Sequence, residues 1–252
     1  MDNKTTSRWH SQRTGQEMMC ARWGDYGQPV LIFPTAGGDA EEIERMLMIK
    51  VLAPLIEGGK IKVYSIDSVA ARVWGDTSVD PRYKTKLQNG FQEYVYHEVV
   101  PAIRNDCNDD TIEIVVAGAS IGAFNAMGML CRHPDAFSRA ICMSGSYDIN
   151  RFIKDPDGEP LRGGDSDFYF SSPLHFVPNL PEGVQLDTLR RRFVQLCHGG
   201  GQWEDPNQDW TMAKLLGAKG VPNNVEAWGE GYDHDWPTWR AMLPKYLGAL
   251  SD

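Results

Sequence analysis

The stretch that most constrains this chain runs from Thr111 to Met129 and reads TIEIVVAGASIGAFNAMGM. It opens with a compact, β-branched apolar run, which is typical of a strand buried on both faces. It ends in small and apolar residues that suit a helix packed closely on that strand. Between them lies the G-x-S-x-G pattern GASIG, with Ser120 at its centre. At a strand-to-helix turn this pattern predicts a nucleophile elbow, which lifts the serine hydroxyl clear of the backbone.

The pattern alone is weak evidence, because glycine accounts for 25 of the 252 residues. The competing interpretation is a tight glycine turn that only joins strand to helix, with Ser120 as a cap. A nucleophilic serine also needs a base, a group that orients the base, and backbone N–H donors for the developing oxyanion. The remainder of the chain therefore decides between the two interpretations.

Apolar strand-like runs alternate with helical patterns along most of the chain. This alternation predicts an α/β fold with a mainly parallel sheet and helices on both faces. Besides the strand before Ser120, we expect strands at residues 17–23, 29–33, 61–66, 139–143, 192–197 and 224–228. Helices are expected from Asp39 through residue 55 and at residues 83–105, 208–218 and 236–250. Pro101 predicts a kink near the end of the second of these helices. The residues before Glu17 are polar, and we interpret them as a polar lead before the first strand.

Residues 147–187 break this rhythm, because they are rich in Pro, Gly and Asp and carry dispersed aromatic residues. So long a segment between strands predicts a cap-like insertion over the carboxyl edge of the sheet. No internal repeat is found. Residues 1–252 are therefore expected to form one domain that contains this insertion.

Composition excludes several classes of function. Hydrophobic residues at 42% and charged residues at 23% are ordinary values for a globular protein. A net charge of -9 argues against nucleic-acid and anionic-membrane partners, which require basic patches. No apolar stretch reaches the 18 residues of a membrane span, and the polar N-terminus has no signal-like apolar region. The five scattered cysteines lack metal or redox spacing, so we expect a soluble, cytoplasmic protein without metal or cofactor.

Four histidines follow Ser120, and one of them occupies the position expected of a base. In this fold type the catalytic residues occur in the order Ser, acid, His. His234 lies in a glycine-rich loop just after the last predicted strand, where a base can reach over the sheet edge. His133 is predicted to lie at the end of a helix, and His175 lies in the insertion. His198 ends a strand and is expected near the substrate pocket, behind the reacting groups.

The acid is expected in the loop after the penultimate strand, which runs from Gly199 to Pro206. Glu204 and Asp205 are adjacent there, and the residues alone do not decide between them. Asp148, after the preceding strand, is a third possibility.

The backbone donors of the oxyanion hole are expected in two places. One is the N–H of Ile121, directly after the nucleophile, and the other lies in the loop from Pro34 to Gly37. Thr35 in that loop is either such a donor or simply a residue of the turn. Trp74 and the insertion aromatics, Phe168 among them, predict a partly apolar substrate pocket.

Four segments together resemble the putative-esterase branch of the α/β-hydrolase superfamily: GASIG, PTAGG, CHGGGQWE and GYDHDWPTW. That branch includes esterase D, the enterochelin esterases and the antigen 85 mycolyltransferases, and the resemblance spans residues 17–250. It implies an α/β-hydrolase fold, Ser120 as nucleophile and His234 as base. The mycolyltransferases place a Glu seven residues past a Cys, which favours Glu204 over Asp205. The second oxyanion donor corresponds to Ala36, with Thr35 beside it.

The sequence therefore predicts a serine carboxylesterase that cleaves small-molecule esters or thioesters through an acyl-enzyme. Two alternatives remain open: an acyltransferase that uses the same residues with an alcohol or thiol acceptor, and a non-catalytic binding protein of hydrolase fold.

Overall fold

The computed structural model describes residues 3–69, 73–74, 76, 78–154, 157–159 and 166–251. Its strands form one sheet. In chain order they are β1 (Lys4–Ser11), β2 (Gln16–Trp23), β3 (Gln28–Phe33), β4 (Ile61–Ile66), β5 (Ile114–Ala119), β6 (Phe137–Met143), β7 (Phe193–His198) and β8 (Asn223–Ala227). Their order across the eight-stranded sheet is β1-β2-β4-β3-β5-β6-β7-β8. All neighbours from β4 to β8 pair in parallel, and only β1–β2 and β2–β4 are antiparallel. The predicted α/β class is confirmed.

Helices lie at each predicted place, and three short helices between β6 and β7 were not predicted. The helices are α1 (Glu42–Arg45), α2 (Met48–Glu57), α3 (Pro81–Tyr94), α4 (Val100–Asp106), α5 (Ile121–Arg132), α6 (Ser166–Ser171), α7 (Pro173–Phe176), α8 (Val184–Leu189), α9 (Pro206–Ala218) and α10 (Trp236–Gly248). Two expectations change in detail. The first predicted helix divides at Leu47, which has a left-handed φ of 62°. The second passes through a π-helical segment, Val95–Val99, which ends two residues before Pro101.

Strand β5 shows how the two faces of the sheet are filled. All six of its residues are buried. Ile114 and Val116 belong to one apolar core, while Val115 and Ala117 belong to the other. This division follows from the alternation of side chains along a strand. Helices α3 and α5 contribute to the first core, and α2 and α10 to the second, so the predicted helical layers on both faces are present.

The prediction of a polar lead before Glu17 is wrong. Residues Lys4–Ser11 form β1, which pairs with β2 along its whole length. β1 lies at the edge of the sheet and is mostly exposed. An edge strand of this kind needs few apolar side chains, and therefore lacks the apolar alternation that reveals a strand in a sequence.

The segment 147–187 follows the carboxyl end of β6 and contains α6, α7 and two short 3₁₀ turns. Phe152 and Phe168 from this segment pack against a small apolar cluster that includes Ile121, the residue after Ser120. The segment therefore lies beside the elbow, and its residues 155–156 and 160–165 lie outside the described ranges. Within the part of the chain that is described, no helix is long and apolar enough to cross a membrane.

His133, which caps the end of α5, makes folding sensitive to acid. Its ring stacks on Tyr96 with centroids 3.9 Å apart, and burial, together with the Arg132 charge, lowers the His133 pKa to about 4. The unfolded chain has the ordinary value of about 6.5 and so binds this proton first as the pH falls. The stability that His133 contributes is therefore present above pH 6.5 and is lost as the pH falls towards 4.

We expect His133→Phe, which keeps the stacking but cannot bind a proton, to reduce this loss. The difference between wild type and variant in free energy of unfolding should be constant above pH 7. It should change by at most about 3 kcal/mol between pH 6.5 and 4, measured by urea unfolding. The control is His10→Gln, because His10 has a side chain that is 57% exposed. A wild-type-to-variant difference that is the same at every pH would contradict the prediction.

Candidate active site

Ser120 lies in a strained turn between β5 and α5, with φ of 55° and ψ of -118°. Such values are uncommon for a residue with a side chain, and they are tolerated where the surrounding structure enforces them. Two glycines do so here. A Cβ on Gly118 would overlap the carbonyl group of Gly122, and a Cβ on Gly122 would lie 2.5 Å from the Phe33 carbonyl oxygen. The turn has the sharp form that the G-x-S-x-G pattern predicts.

The close approach of Gly122 brings the start of α5 against the loop that follows β3. A Cβ on Gly122 would also lie 3.0 Å from the carbonyl oxygen of Pro34, the first residue of that loop. Ile121 is the first residue of α5, so its N–H has no acceptor within the helix. Ala36 is exposed in the facing loop, and none of the described residues accepts its N–H. Two backbone donors without a described acceptor are thus present, one on the residue after Ser120 and one two residues beyond Pro34.

Thr35 does not meet the expectation that it supplies an oxyanion donor. Its N–H donates to Glu42 Oε2 at 2.7 Å, and its hydroxyl donates to Glu42 Oε1 at 2.6 Å. Both donors of Thr35 are therefore engaged by one carboxylate. Ala36 and Gly37 keep N–H groups that none of the described residues accepts, and Ala36 is the position that the family resemblance indicates.

The loops that carry the predicted acid and base are joined by their backbones. The Gly200 N–H donates to the Gly229 carbonyl at 2.8 Å, and the His234 N–H donates to the Gln202 carbonyl at 2.9 Å. A Cβ on Gly199 would overlap the Tyr232 carbonyl. The glycine run after β7 is thus what allows the two loops to lie in contact.

Glu204 faces the imidazole of His234. Its Oε2 lies 3.7 Å from His234 Nδ1, and the Glu204 side chain is only 1% exposed, against 24% for His234. This separation exceeds a direct hydrogen bond, although such catalytic contacts commonly shorten when the transition state forms. Oε2 has no other hydrogen-bond partner in the described part of the chain. A buried acceptor with no other partner is therefore directed at the imidazole that is predicted to be the base.

Asp205, the alternative acid, points elsewhere. Its carboxylate is 36% exposed and pairs with Arg151. Asp148, the third possibility, accepts the Asn150 N–H at 2.9 Å and lies 3.7 Å from His175. Of the three candidate acids, Glu204 is the one that the structure brings to His234.

Ser144 is a member of this site that the sequence analysis missed. Its hydroxyl donates to Glu204 Oε1 at 2.6 Å and accepts a hydrogen bond from Trp239 Nε1 at 2.9 Å. It follows β6 directly and has a left-handed φ of 48°. No motif marks it, and the only available signal was a serine at the carboxyl end of a strand next to the acid's own strand.

The three residues predicted to line the pocket have different environments. His198 is 3% exposed and its Nδ1 lies 2.9 Å from Asp209 Oδ2, so its imidazole is held within the protein. Trp74 is buried against Phe124, with ring centroids 5.7 Å apart. Phe168 packs on the cluster that contains both Trp74 and Ile121. Trp74 and Phe168 therefore lie next to the elbow, while His198 offers little surface to a ligand.

A cavity of about 270 Å³ lies away from this site. It is bordered by Trp9, Arg22 and Asp106, on β1, β2 and α4, and two further strands separate β2 from β5.

Within the described ranges, no three His, Cys, Asp or Glu residues are grouped as a metal ion would require.

Comparison with known proteins places the chain in a family. Residues 67–250 match the family described as Putative esterase. A solved ferulic acid esterase is similar over 98% of this chain and 97% of its own, with a TM-score of 0.74 and 16% identity. An S-formylglutathione hydrolase from Agrobacterium tumefaciens is similar over 98% and 93%, with a TM-score of 0.73 and 12% identity. None of the curated proteins compared with the chain gives a match.

A third similar structure is FphF, a fluorophosphonate-binding serine hydrolase from Staphylococcus aureus. The similarity covers 99% of this chain and 98% of FphF, with a TM-score of 0.70 and 14% identity. At these identities the structures establish a shared α/β-hydrolase fold, and the family match goes further because it spans most of the chain. The chain belongs to this esterase family and is an ester hydrolase.

We expect Ser144→Ala to weaken catalysis through Glu204. The substitution leaves Glu204 Oε1 buried without its hydrogen bond, so the carboxylate is held less firmly opposite His234. Ester hydrolysis should fall about tenfold in kcat, and the free energy of unfolding should fall by about 1–3 kcal/mol. Ser146→Ala is the matched control, two residues further along. Equal activities of the two variants would contradict a role for Ser144.

Proposed function

We propose that the chain is a serine carboxylesterase that hydrolyses small-molecule esters or thioesters through an acyl-enzyme. Ser120 is the nucleophile, His234 the general base and Glu204 the group that orients His234. The N–H groups of Ile121 and Ala36 form the oxyanion hole. The observation that carries the proposal is the buried Glu204 Oε2, which has no hydrogen-bond partner among the described residues and lies 3.7 Å from His234 Nδ1.

The proposed reaction begins with attack of the Ser120 hydroxyl oxygen on the ester carbonyl carbon. With Nδ1 directed at Glu204, His234 has Nε2 free to accept the hydroxyl proton. The carbonyl oxygen becomes an oxyanion, which the two N–H groups stabilise, a contribution worth about 10²–10³ in rate for each donor. The tetrahedral intermediate then collapses, its bond to the alcohol or thiol breaks, and His234 returns the proton to that leaving group.

Water completes the proposed cycle. It attacks the acyl-enzyme carbonyl as His234 removes its proton, a second oxyanion forms and collapses, and the proton returns to Ser120. The carboxylic acid is released. These steps need no metal or organic cofactor, because the proton and electron balance closes within the three side chains, substrate and water.

The substrate environment follows from the apolar cluster beside the elbow. Trp74, Phe152 and Phe168 adjoin Ile121 in that cluster. We therefore propose that part of the substrate is apolar, and that an ester panel graded in acyl length will show a preference.

We expect Ser120→Ala to abolish hydrolysis of p-nitrophenyl acetate, with kcat falling by about 10⁴-fold or more. Glu204→Gln should lower kcat by about 10³–10⁴, because the base then loses the anion that stabilises its imidazolium form. Asp205→Asn is the matched control. It removes the same charge one residue away and should stay within threefold of wild type.

Turnover by Ser120→Ala at the wild-type rate would refute the proposed mechanism. A larger loss for Asp205→Asn than for Glu204→Gln would reverse the choice of acid. Product analysis with a competing alcohol distinguishes hydrolysis from acyl transfer, since a transferase would form the new ester instead of the free acid.

A further inference from the structure

A buried carboxylate holds the loop that contains Ala36. Glu42 begins α1 and is 6% exposed. Both of its oxygens accept hydrogen bonds from Thr35, one from the N–H and one from the hydroxyl. A Cβ on Gly38 would lie 2.5 Å from Glu42 Cδ. The loop from Thr35 to Gly38 therefore closes around this carboxylate.

This arrangement differs from the one that the sequence predicts. Asp39 followed by Glu42 is the pattern of a capping box, in which the glutamate would reach back to the backbone N–H of the capping residue. In the structure Glu42 bonds to Thr35 instead, four residues further back. Burying a carboxylate is unfavourable unless its partners compensate, and burial raises the pKa of Glu42. Helix capping does not account for its placement.

A hydrogen bond to the Thr35 carbonyl within the loop sets the direction of the Ala36 N–H. Thr35 C=O and Ala36 N–H belong to one planar, trans peptide unit, so they point in opposite directions. The Thr35 carbonyl accepts the Gly38 N–H at 3.1 Å. With that carbonyl turned into the loop, the Ala36 N–H is turned out of it.

We propose that Glu42 is a positioning residue that holds the Ala36 N–H at the oxyanion site. The inference rests on the proposed function, because it assigns Ala36 a role in the reaction. Glu42 touches no reacting atom and acts through Thr35. The other end of the loop is fixed independently, by the contact of the Pro34 carbonyl with Gly122.

The test measures whether Glu42 affects the oxyanion more than the bound substrate. Glu42→Ala removes both acceptors, and we expect kcat to fall about 10²-fold with KM within threefold, since a misplaced group of this kind costs about that factor. Thr35→Val, which keeps the N–H bond but loses the hydroxyl bond, should lower kcat about tenfold. Thr35→Ser should restore it. Glu41→Gln is the matched control, because Glu41 carries the same charge one residue earlier and is 37% exposed.

The decisive readout is inhibition by a trifluoromethyl ketone, whose serine adduct carries an oxyanion. For each variant, its inhibition constant should rise in proportion to the fall in kcat/KM, because both depend on the same donor. Activities are expressed per active site titrated with a fluorophosphonate, so that misfolded molecules are not counted. If Glu42→Ala fails to fold, the Thr35→Val and Thr35→Ser pair decides.

Two outcomes overturn the inference. One is a kcat per titrated site within threefold of wild type in Glu42→Ala, or in Thr35→Val where that pair decides. The other is a loss of kcat with an unchanged inhibition constant. In both cases an inactive Ser120→Ala leaves the proposed function standing. An active Ser120→Ala would instead refute the function itself.

Discussion

The contact between Gly122 and the carbonyl groups of Phe33 and Pro34 is the constraint on which this site depends. It seats the start of α5 directly on the carboxyl end of β3, a distance that any side chain at position 122 would prevent. The strained turn at Ser120 and the loop with Ala36 thus become neighbours, although more than 80 residues separate them in the chain. The absence of a side chain at Gly122 therefore sets the spacing between the proposed nucleophile and the proposed oxyanion loop.

Two buried glutamates complete the arrangement, each serving a different loop. Glu204 is fixed by Ser144 and directed at His234, on loops that glycines allow to lie together. Glu42 is fixed by both donors of Thr35 and lies inside the oxyanion loop. Buried carboxylates are costly in isolation, and here their hydrogen bonds rigidify the segments around the nucleophile. Rigid placement of donors and base is the main source of catalysis in the mechanism proposed.

The extent to which sequence predicts this structure depends on how local the signal is. The strand, turn and helix around Ser120 are encoded within nineteen consecutive residues, and the parallel sheet follows from a pattern repeated along the chain. Ser144 and Glu42 left no such signal. The role of Ser144 is a hydrogen bond to Glu204, which lies 60 positions away in the chain. Glu42 bonds back to Thr35 in the preceding loop, whereas its sequence pattern predicts a bond to the helix cap. Strand β1 was missed because an exposed edge does not require apolar side chains. The residues alone do not separate adjacent Glu204 and Asp205; the family resemblance favours Glu204, and the burial of its side chain agrees with that choice.

The central claim is that Ser120 is the activated nucleophile, and covalent labelling tests it most directly. The wild-type protein is treated with a fluorophosphonate at neutral pH, and the adduct is located by mass spectrometry of its peptides. We predict one adduct per chain, on Ser120, and none on Ser120→Ala. An adduct on a different residue, or ester hydrolysis by a wild-type protein that the reagent neither labels nor inhibits, would contradict the account.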